Sequence, residues 1–355
     1  MSSLNHLVIY LSGNCNLACV YCNFRANHFR QTVKEKIILK RIGFFLGRPH
    51  AGGKVTFLGG EPFLRWKLFK KAVKSIREKD PRIPVAVFTN GTLLEAEKMR
   101  FLRNNSVKLV LSLDGDEKTN DRFRKFINSG KSVFKSVIRT LKRCGFEDVT
   151  VNVVVTPETA GRLRKNVEFL RKTGFRSIGW NADYSRPWPQ DSVEELKKQA
   201  AGIKLDYLKL LREEAELYEL PNCYEIIDWL VRGKRAGCSN INLFPDGKFY
   251  FCDKIFPLKG KILRKFRIGF SKGMLNERKR RLFFRFLKRK KIAPKQLMCP
   301  AGIYLYYKFV KRLSGKKLEI ALAGALNLIE SVEAVKCSMI KDLLKYEPFR
   351  RIHGI

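Results

Sequence analysis

The chain has 355 residues, 45% of them apolar and 30% charged, so it can bury a real core as one large domain or two ordinary ones and is not disordered through its bulk. Its apolar runs exclude a signal sequence and a transmembrane segment: residues 6–11 are too short and lack a basic flank, and residues 318–335 carry Glu319, Glu330 and Glu333. A cytoplasmic protein with reduced thiols is expected, and the formal charge of +39 points to an acidic partner or a basic proteome.

In chain order, short β-branched runs at 6–12, 54–58, 85–89, 108–113, 149–156 and 177–181 read as strands. Between them, 34–47, 68–78, 94–104, 132–144 and 160–172 show helical periodicity. Strand–helix alternation at this spacing predicts parallel βα units, as an open doubly wound sheet or a partial barrel. Function then collects at the carboxyl ends of the strands. The unusual residues stand there: the cysteine cluster after the first strand, then Gly59-Gly60-Glu61-Pro62, Thr89-Asn90-Gly91, Ser112-Leu113-Asp114-Gly115, and a fifth strand that carries Asn152. Past residue 185 the pattern changes. A segment with Pro187 and Pro189 leads to a long helix over 193–217, then to an irregular, cysteine-bearing region over 221–257. A domain boundary is expected near 187, with a smaller domain over 188–355. Residues 276–291 interleave basic residues with an apolar stripe and predict a basic amphipathic helix.

Three of the nine cysteines fall within eight residues: Cys15, Cys19 and Cys22. A structural zinc site asks for four ligands, and none of the four histidines is spaced to complete one. C-x3-C-x2-C with nothing more fits a four-iron cluster held by three thiolates, its fourth iron open to a ligand.

The run Cys15-Asn-Leu-Ala-Cys19-Val-Tyr21-Cys22, with an aromatic before its last cysteine, resembles that of the radical S-adenosylmethionine (radical SAM) enzymes. The resemblance covers residues 6 to about 185. It implies an α/β fold, a partial (β/α)6 barrel over 1–187, with a 4Fe-4S cluster in the loop after strand one. The open iron would chelate S-adenosylmethionine, and an electron from the cluster would cleave it to a 5′-deoxyadenosyl radical that abstracts hydrogen from the substrate. Gly59-Gly60-Glu61-Pro62 resembles the family's GGEP segment: the glycines would let the backbone approach the methionine moiety, and Glu61 would pair with its ammonium group. Ser112 and Asp114 resemble the S-x-D that meets the cofactor's ribose and carboxylate, Asn152 joins them as a cofactor-binding candidate, and Arg124 falls on the family's carboxylate-clamping arginine. Asp116 and Asn120 depart from the usual Pro and His of the peptide- and sulfatase-modifying members.

Farther on, Cys238 and Cys252 flank a turn at Pro245-Asp246-Gly247, which predicts a hairpin. Gly247-x4-Cys252 resembles the opening of the SPASM and twitch domains, whose cysteines hold auxiliary iron–sulfur clusters. The cysteines suffice for one second cluster, on Cys238, Cys252, Cys299 and Cys337, with Cys223 in reserve and Cys144 in the core. Asp253 resembles the aspartate that serves as general base in sulfatase-maturing members. The resemblance thus implies an enzyme that oxidises or cross-links side chains of a ribosomally made peptide or protein, fed by a flavodoxin- or ferredoxin-like electron donor, and the +39 charge suits an acidic leader. No recognition domain precedes the barrel, so a leader peptide would dock on the barrel, the C-terminal domain or a partner. The alternatives are an RNA-modifying enzyme with the basic helix on phosphates, a small-molecule dehydrogenase of the same superfamily, and a non-catalytic iron–sulfur binding protein.

Overall fold

β-Branched runs bury one face under helices and turn the other inward, and this alternation shapes the molecule. The structure, a computed structural model, describes residues 4–22, 32–48, 53–213, 215–232, 239–271, 274–276, 278–289 and 300–355. The first half runs β1 (His6–Tyr10), α1 (Glu35–Leu46), β2 (Lys54–Leu58), α2 (Trp66–Lys79), β3 (Val85–Thr89), α3 (Ala96–Asn104), β4 (Val107–Ser112), α4 (Glu117–Phe123), α5 (Val133–Cys144), β5 (Val149–Val155), α6 (Leu163–Thr173) and β6 (Ser177–Ala182). Strands β1 to β6 are parallel and lie side by side in sequence order. The expected strands are all present, within two residues at each end. Helix α4 is an addition to the expected set.

The period of two decides what reaches the interior. On β4, Val107, Leu109 and Leu111 are buried on one face, while Lys108, Val110 and Ser112 line an internal cavity. On β5, Val149, Val153 and Val155 are buried, while Thr150, Asn152 and Val154 line the cavity. The barrel is partial, because β1 and β6 do not pair with each other.

The second half runs α7 (Gln190–Arg212), α8 (Tyr224–Arg232), β7 (Asn240–Leu243), β8 (Phe249–Tyr250), α9 (Gly260–Lys265), β9 (Arg267–Ser271), β10 (Met274–Asn276), α10 (Arg278–Arg289), α11 (Pro300–Leu305), α12 (Gly315–Leu343) and α13 (Glu347–Ile352). Strand β7 pairs in parallel with β1, and β8 and β9 add to it antiparallel. The expected boundary near 187 therefore divides a chain whose two parts share one sheet. The predicted hairpin forms as β7 and β8, with Gly247 at φ +74° in its turn.

The long helix ends at Arg212, short of the expected 217. The chain must extend there, because Glu219 bridges to the edge of β6: Ile178 N–H donates to its carbonyl at 3.0 Å, and its own N–H donates to Arg176 at 2.8 Å. Helix α12 is pinned to the same strand by Lys336, whose buried Nζ donates to the Trp180 carbonyl at 2.9 Å and stands 4.0 Å above its ring. The basic helix forms as α10; residues 277, 290 and 291 of the expected span lie outside the described residues. Its Phe283 packs inward on Phe251 and Phe266, leaving Leu282 and Phe286 outward. No described helix is long and apolar enough to cross a membrane.

At the barrel's interior, His6 of β1 meets the Thr56 hydroxyl of β2 at 2.9 Å. Burial, aided by Lys54, lowers the His6 pKa from 6.5 to about 3, so the folded state holds the ring neutral. Between those values the unfolded chain binds the proton and the folded one does not. The His6 contribution is therefore whole above about 6.5 and is lost as pH falls toward about 3. In urea denaturation across that window, wild type should lose stability relative to His6→Gln as pH falls from about 6.5 toward 3; parallel curves would refute the assignment.

Candidate active site

The loop after β1 is held by backbone pairing to the segment after α4. Ala18 N–H donates to Lys125 at 2.7 Å, Val20 N–H to Phe123 at 2.9 Å, and Ile127 N–H to Asn16 at 3.2 Å. Its three cysteines are free thiols that line one cavity of about 740 Å³. Burial pushes the Cys15 thiol up to about 12 and also raises Cys19, where the Arg124 charge opposes it. The Leu17 N–H donates to Cys15 Sγ at 3.4 Å, and Asn90 Nδ2 reaches the same sulfur at 3.7 Å while donating to Asn16 at 2.9 Å. No three described His, Cys, Asp or Glu side chains converge on a single metal ion. A four-iron cluster asks for one thiolate per iron instead, and three uncommitted thiols on one cavity wall fit that demand.

Gly59 and Gly60 line the same cavity, and the loop beside them explains why no side chain fits. A Cβ on Gly60 would lie 1.9 Å from the Asn14 carbonyl oxygen, and Gly59 sits at φ +130° with its Cβ position 2.7 Å from the Ser12 oxygen. Glu61 is buried with its acceptors occupied. Oε1 accepts from Phe63 N–H at 3.0 Å and Thr89 Oγ1 at 2.8 Å, and Oε2 from Asn90 N–H at 2.9 Å. Burial pushes its carboxyl up to about 7 against those donors. Glu61 thus staples the turn after β2 to the end of β3, and Gly59 and Gly60 present this turn to the cavity.

Asp114, after β4, and Arg124, after α4, form a buried two-point ion pair: Arg124 Nε and Nη2 donate to Oδ2 and Oδ1, both at 2.9 Å. Val154 N–H donates to Oδ1 at 3.0 Å, and the Tyr21 hydroxyl donates to Oδ2. Arg124 stands 5.3 Å over the Tyr21 ring. Burial opposes the Arg124 charge, but Asp114 and then Tyr21 outweigh it and the net shift is upward. Asp114 is therefore committed to Arg124, Tyr21 and β5, whereas Ser112, Asn152 and Arg124 itself line the cavity. The two departures from the family pattern rebuild the turn. Asp116 caps α4 by accepting from Thr119 N–H at 2.7 Å and pairs with Arg162 at 2.8 Å, and Asn120 Oδ1 accepts from Asp114 N–H at 3.2 Å.

The second half adds Tyr224, Lys254, Ile303 and Tyr306 to the same lining, beside Tyr184 after β6. Asp253 lies 3.3 Å from Lys254 Nζ and 4.0 Å from Cys252 Sγ, and Lys254 is the residue of that turn that lines the cavity. Cys238 and Cys299 lie outside the described residues. Cys337 is on α12; burial pushes Cys223 up to about 11, with Lys336 opposing and the nearby Cys337 adding to the rise. Cys144 packs against the core as expected. The Tyr21–Asp114 bond, the Asn90–Cys15 contact and Lys254 went unassigned in the sequence. Thr89-Asn90-Gly91 at a strand end was the signal for the second.

Residues 9–170 match the Radical SAM superfamily model. The chain carries a radical SAM domain. The curated relatives include a cysteine-type anaerobic sulfatase-maturating enzyme of Clostridium novyi (strain NT), 27% identical over 193 residues. The chain spans about half the length of that relative, and 50% of this chain is covered. A GTP 3',8-cyclase of Thermodesulfovibrio yellowstonii is 28% identical over 291 residues, covering 74% of this chain and 86% of the relative. Among solved structures, native anSMEcpe with bound AdoMet and Cp18Cys peptide superposes with a TM-score of 0.62 at 21% identity, covering 74% of this chain and 77% of that one. At that identity the likeness is one of fold.

Asp114→Asn leaves the Arg124 charge buried without its partner. It should cost about 3–5 kcal/mol of stability in urea denaturation of the metal-free protein. Ser112→Ala, on the cavity wall, should cost less than about 1 kcal/mol. Equal losses for the two would refute the structural role of the pair.

Proposed function

We propose that the chain is an enzyme that reductively cleaves S-adenosylmethionine and oxidatively modifies a side chain of a ribosomally made peptide or protein. One observation carries this reading. Cys15, Cys19, Cys22, Gly59, Gly60 and Arg124 line one cavity, to which the second half of the chain adds Tyr224, Lys254, Ile303 and Tyr306. Cys15, Cys19 and Cys22 would hold the 4Fe-4S cluster, Gly59, Gly60, Ser112, Asn152 and Arg124 would seat the cofactor, and Glu61 and Asp114 would fix the loops that do so. Bound there, the cluster and cofactor would supply the one-electron chemistry for removing a hydrogen from the substrate. The protein's part is to orient both partners and to exclude water from the cavity.

Asp253, beside that cavity, is the proposed acceptor of the substrate's proton. A second cluster on Cys238, Cys252, Cys299 and Cys337 belongs to the proposal, with Cys223 as the reserve ligand. The peptide reading is supported by the sulfatase-maturating relative and the peptide-bound neighbour. A small-molecule substrate is the second reading, favoured by the long match to the cyclase.

The test uses anaerobically reconstituted protein with S-adenosylmethionine and a strong reductant. Wild type should form 5′-deoxyadenosine, and the Cys15, Cys19 and Cys22 triple alanine variant should form none. That variant should retain about four irons per chain if the second cluster exists. Nucleoside from the variant would refute the site, and an iron content near zero would refute the second cluster.

A further inference from the structure

The turn after β8 places a cation where the sequence pattern pointed to a carboxylate. Phe251, Ile255 and Phe256 are buried and fix the turn, and Phe256 N–H donates to the Asp253 carbonyl at 2.9 Å. Between them, Lys254 reaches the cavity wall beside Asp183, Tyr184, Ile303 and Tyr306. Its aliphatic stem runs across Gly302, where an added Cβ would come within 3.0 Å of Lys254 Cγ. The glycine leaves the room that the stem occupies.

The described wall of this cavity is electropositive. Its charged residues are Lys54, Lys108, Arg124 and Lys254 against one carboxylate, Asp183. That carboxylate is already satisfied: Oδ1 accepts from Ser185 N–H at 3.0 Å and its hydroxyl at 2.6 Å, and Oδ2 from Arg186 Nε at 2.9 Å. Arg124 is committed to Asp114, and Lys108 lies 3.8 Å from Glu219. Lys254 pairs with Asp253 at 3.3 Å, and both side chains stay part exposed, at 31% and 28%. The Lys254 amine carries three donors and, as an ammonium, no acceptor, and Asp253 occupies one direction only. In a cavity with this excess of positive charge, a cation of this kind favours an anion on the ligand.

We propose that Lys254 anchors a carboxylate of the substrate in the cavity that the three cysteines also line. The proposal rests on the peptide reading above and narrows it: the modified residue lies close to an acidic side chain or to the peptide's own C-terminal carboxylate. Lys254 is a substrate-binding group in this account and takes no part in electron or proton transfer.

The experiment measures binding of three short fluorescent cysteine-containing peptides to the reconstituted, cofactor-loaded protein. One carries an Asp beside the cysteine and an amidated C-terminus. The second carries Asn there and is amidated, and the third carries Asn with a free C-terminus. Wild type should bind the Asp peptide, the free-acid peptide or both at least about tenfold tighter than the amidated Asn peptide. Which of the two gains identifies the source of the carboxylate. Lys254→Met should lose that preference and Lys254→Arg should keep it, with thermal melting to show that both variants fold. Equal binding of all three by wild type, no measurable binding of the carboxylate peptides at millimolar concentration, or an intact preference in Lys254→Met would overturn the proposal. If wild type forms no 5′-deoxyadenosine, the enzyme reading falls by itself, and the peptide preference still decides the role of Lys254.

Discussion

The buried pair of Arg124 and Asp114 is the constraint on which the site depends. It lies where three segments meet: the end of β4, the backbone of β5 through Val154, and the cysteine loop through Tyr21. Removing two charges from water is costly, and the pair returns that cost only because Asp114 is fully engaged and Arg124 has an aromatic face beneath it. Such a pair adds little net stability. It does penalise every arrangement in which one charge is buried alone, and so it selects one geometry of the loop. The same pair keeps a guanidinium beside Cys19 on the cavity wall.

Around that anchor, strand alternation does the placing. Valines and leucines on one face of β4 and β5 are buried in the core, which leaves Ser112, Thr150 and Asn152 for the cavity. The turn after β2 obeys the same logic at closer range. Gly59 and Gly60 exist because the backbone of the cysteine loop passes too near for a Cβ, and Glu61 locks the turn to β3. The second half of the chain then contributes through the sheet itself. Because β7 pairs with β1, the turn after β8 is carried to the barrel, and Lys254 lines the cavity that the cysteines line.

Much of this was legible in the sequence. The six strands, the helices between them and the three-cysteine loop come from local pattern, since apolar period and cysteine spacing are short-range signals. Local signals also explain the departures at Asp116 and Asn120, which cap and brace a turn that proline and histidine would shape differently. Contacts between residues far apart in sequence could not be read. Tyr21 and Asp114 are separated by 93 positions, and nothing near either one announces the other. Glu61 read as a ligand for an ammonium group, yet three internal donors claim it. Helix α7 ends early because Glu219 is needed at the edge of β6, a tertiary demand that helical propensity does not carry.

The central claim is that Cys15, Cys19 and Cys22 hold a cluster with one iron open to S-adenosylmethionine. The most direct measurement is the electron paramagnetic resonance spectrum of the reduced cluster, before and after S-adenosylmethionine is added, in a variant that lacks Cys252 and Cys337. The account predicts that the signal shifts on addition and that S-adenosylhomocysteine does not reproduce the full change. A reduced cluster whose spectrum is unmoved by saturating S-adenosylmethionine would contradict it.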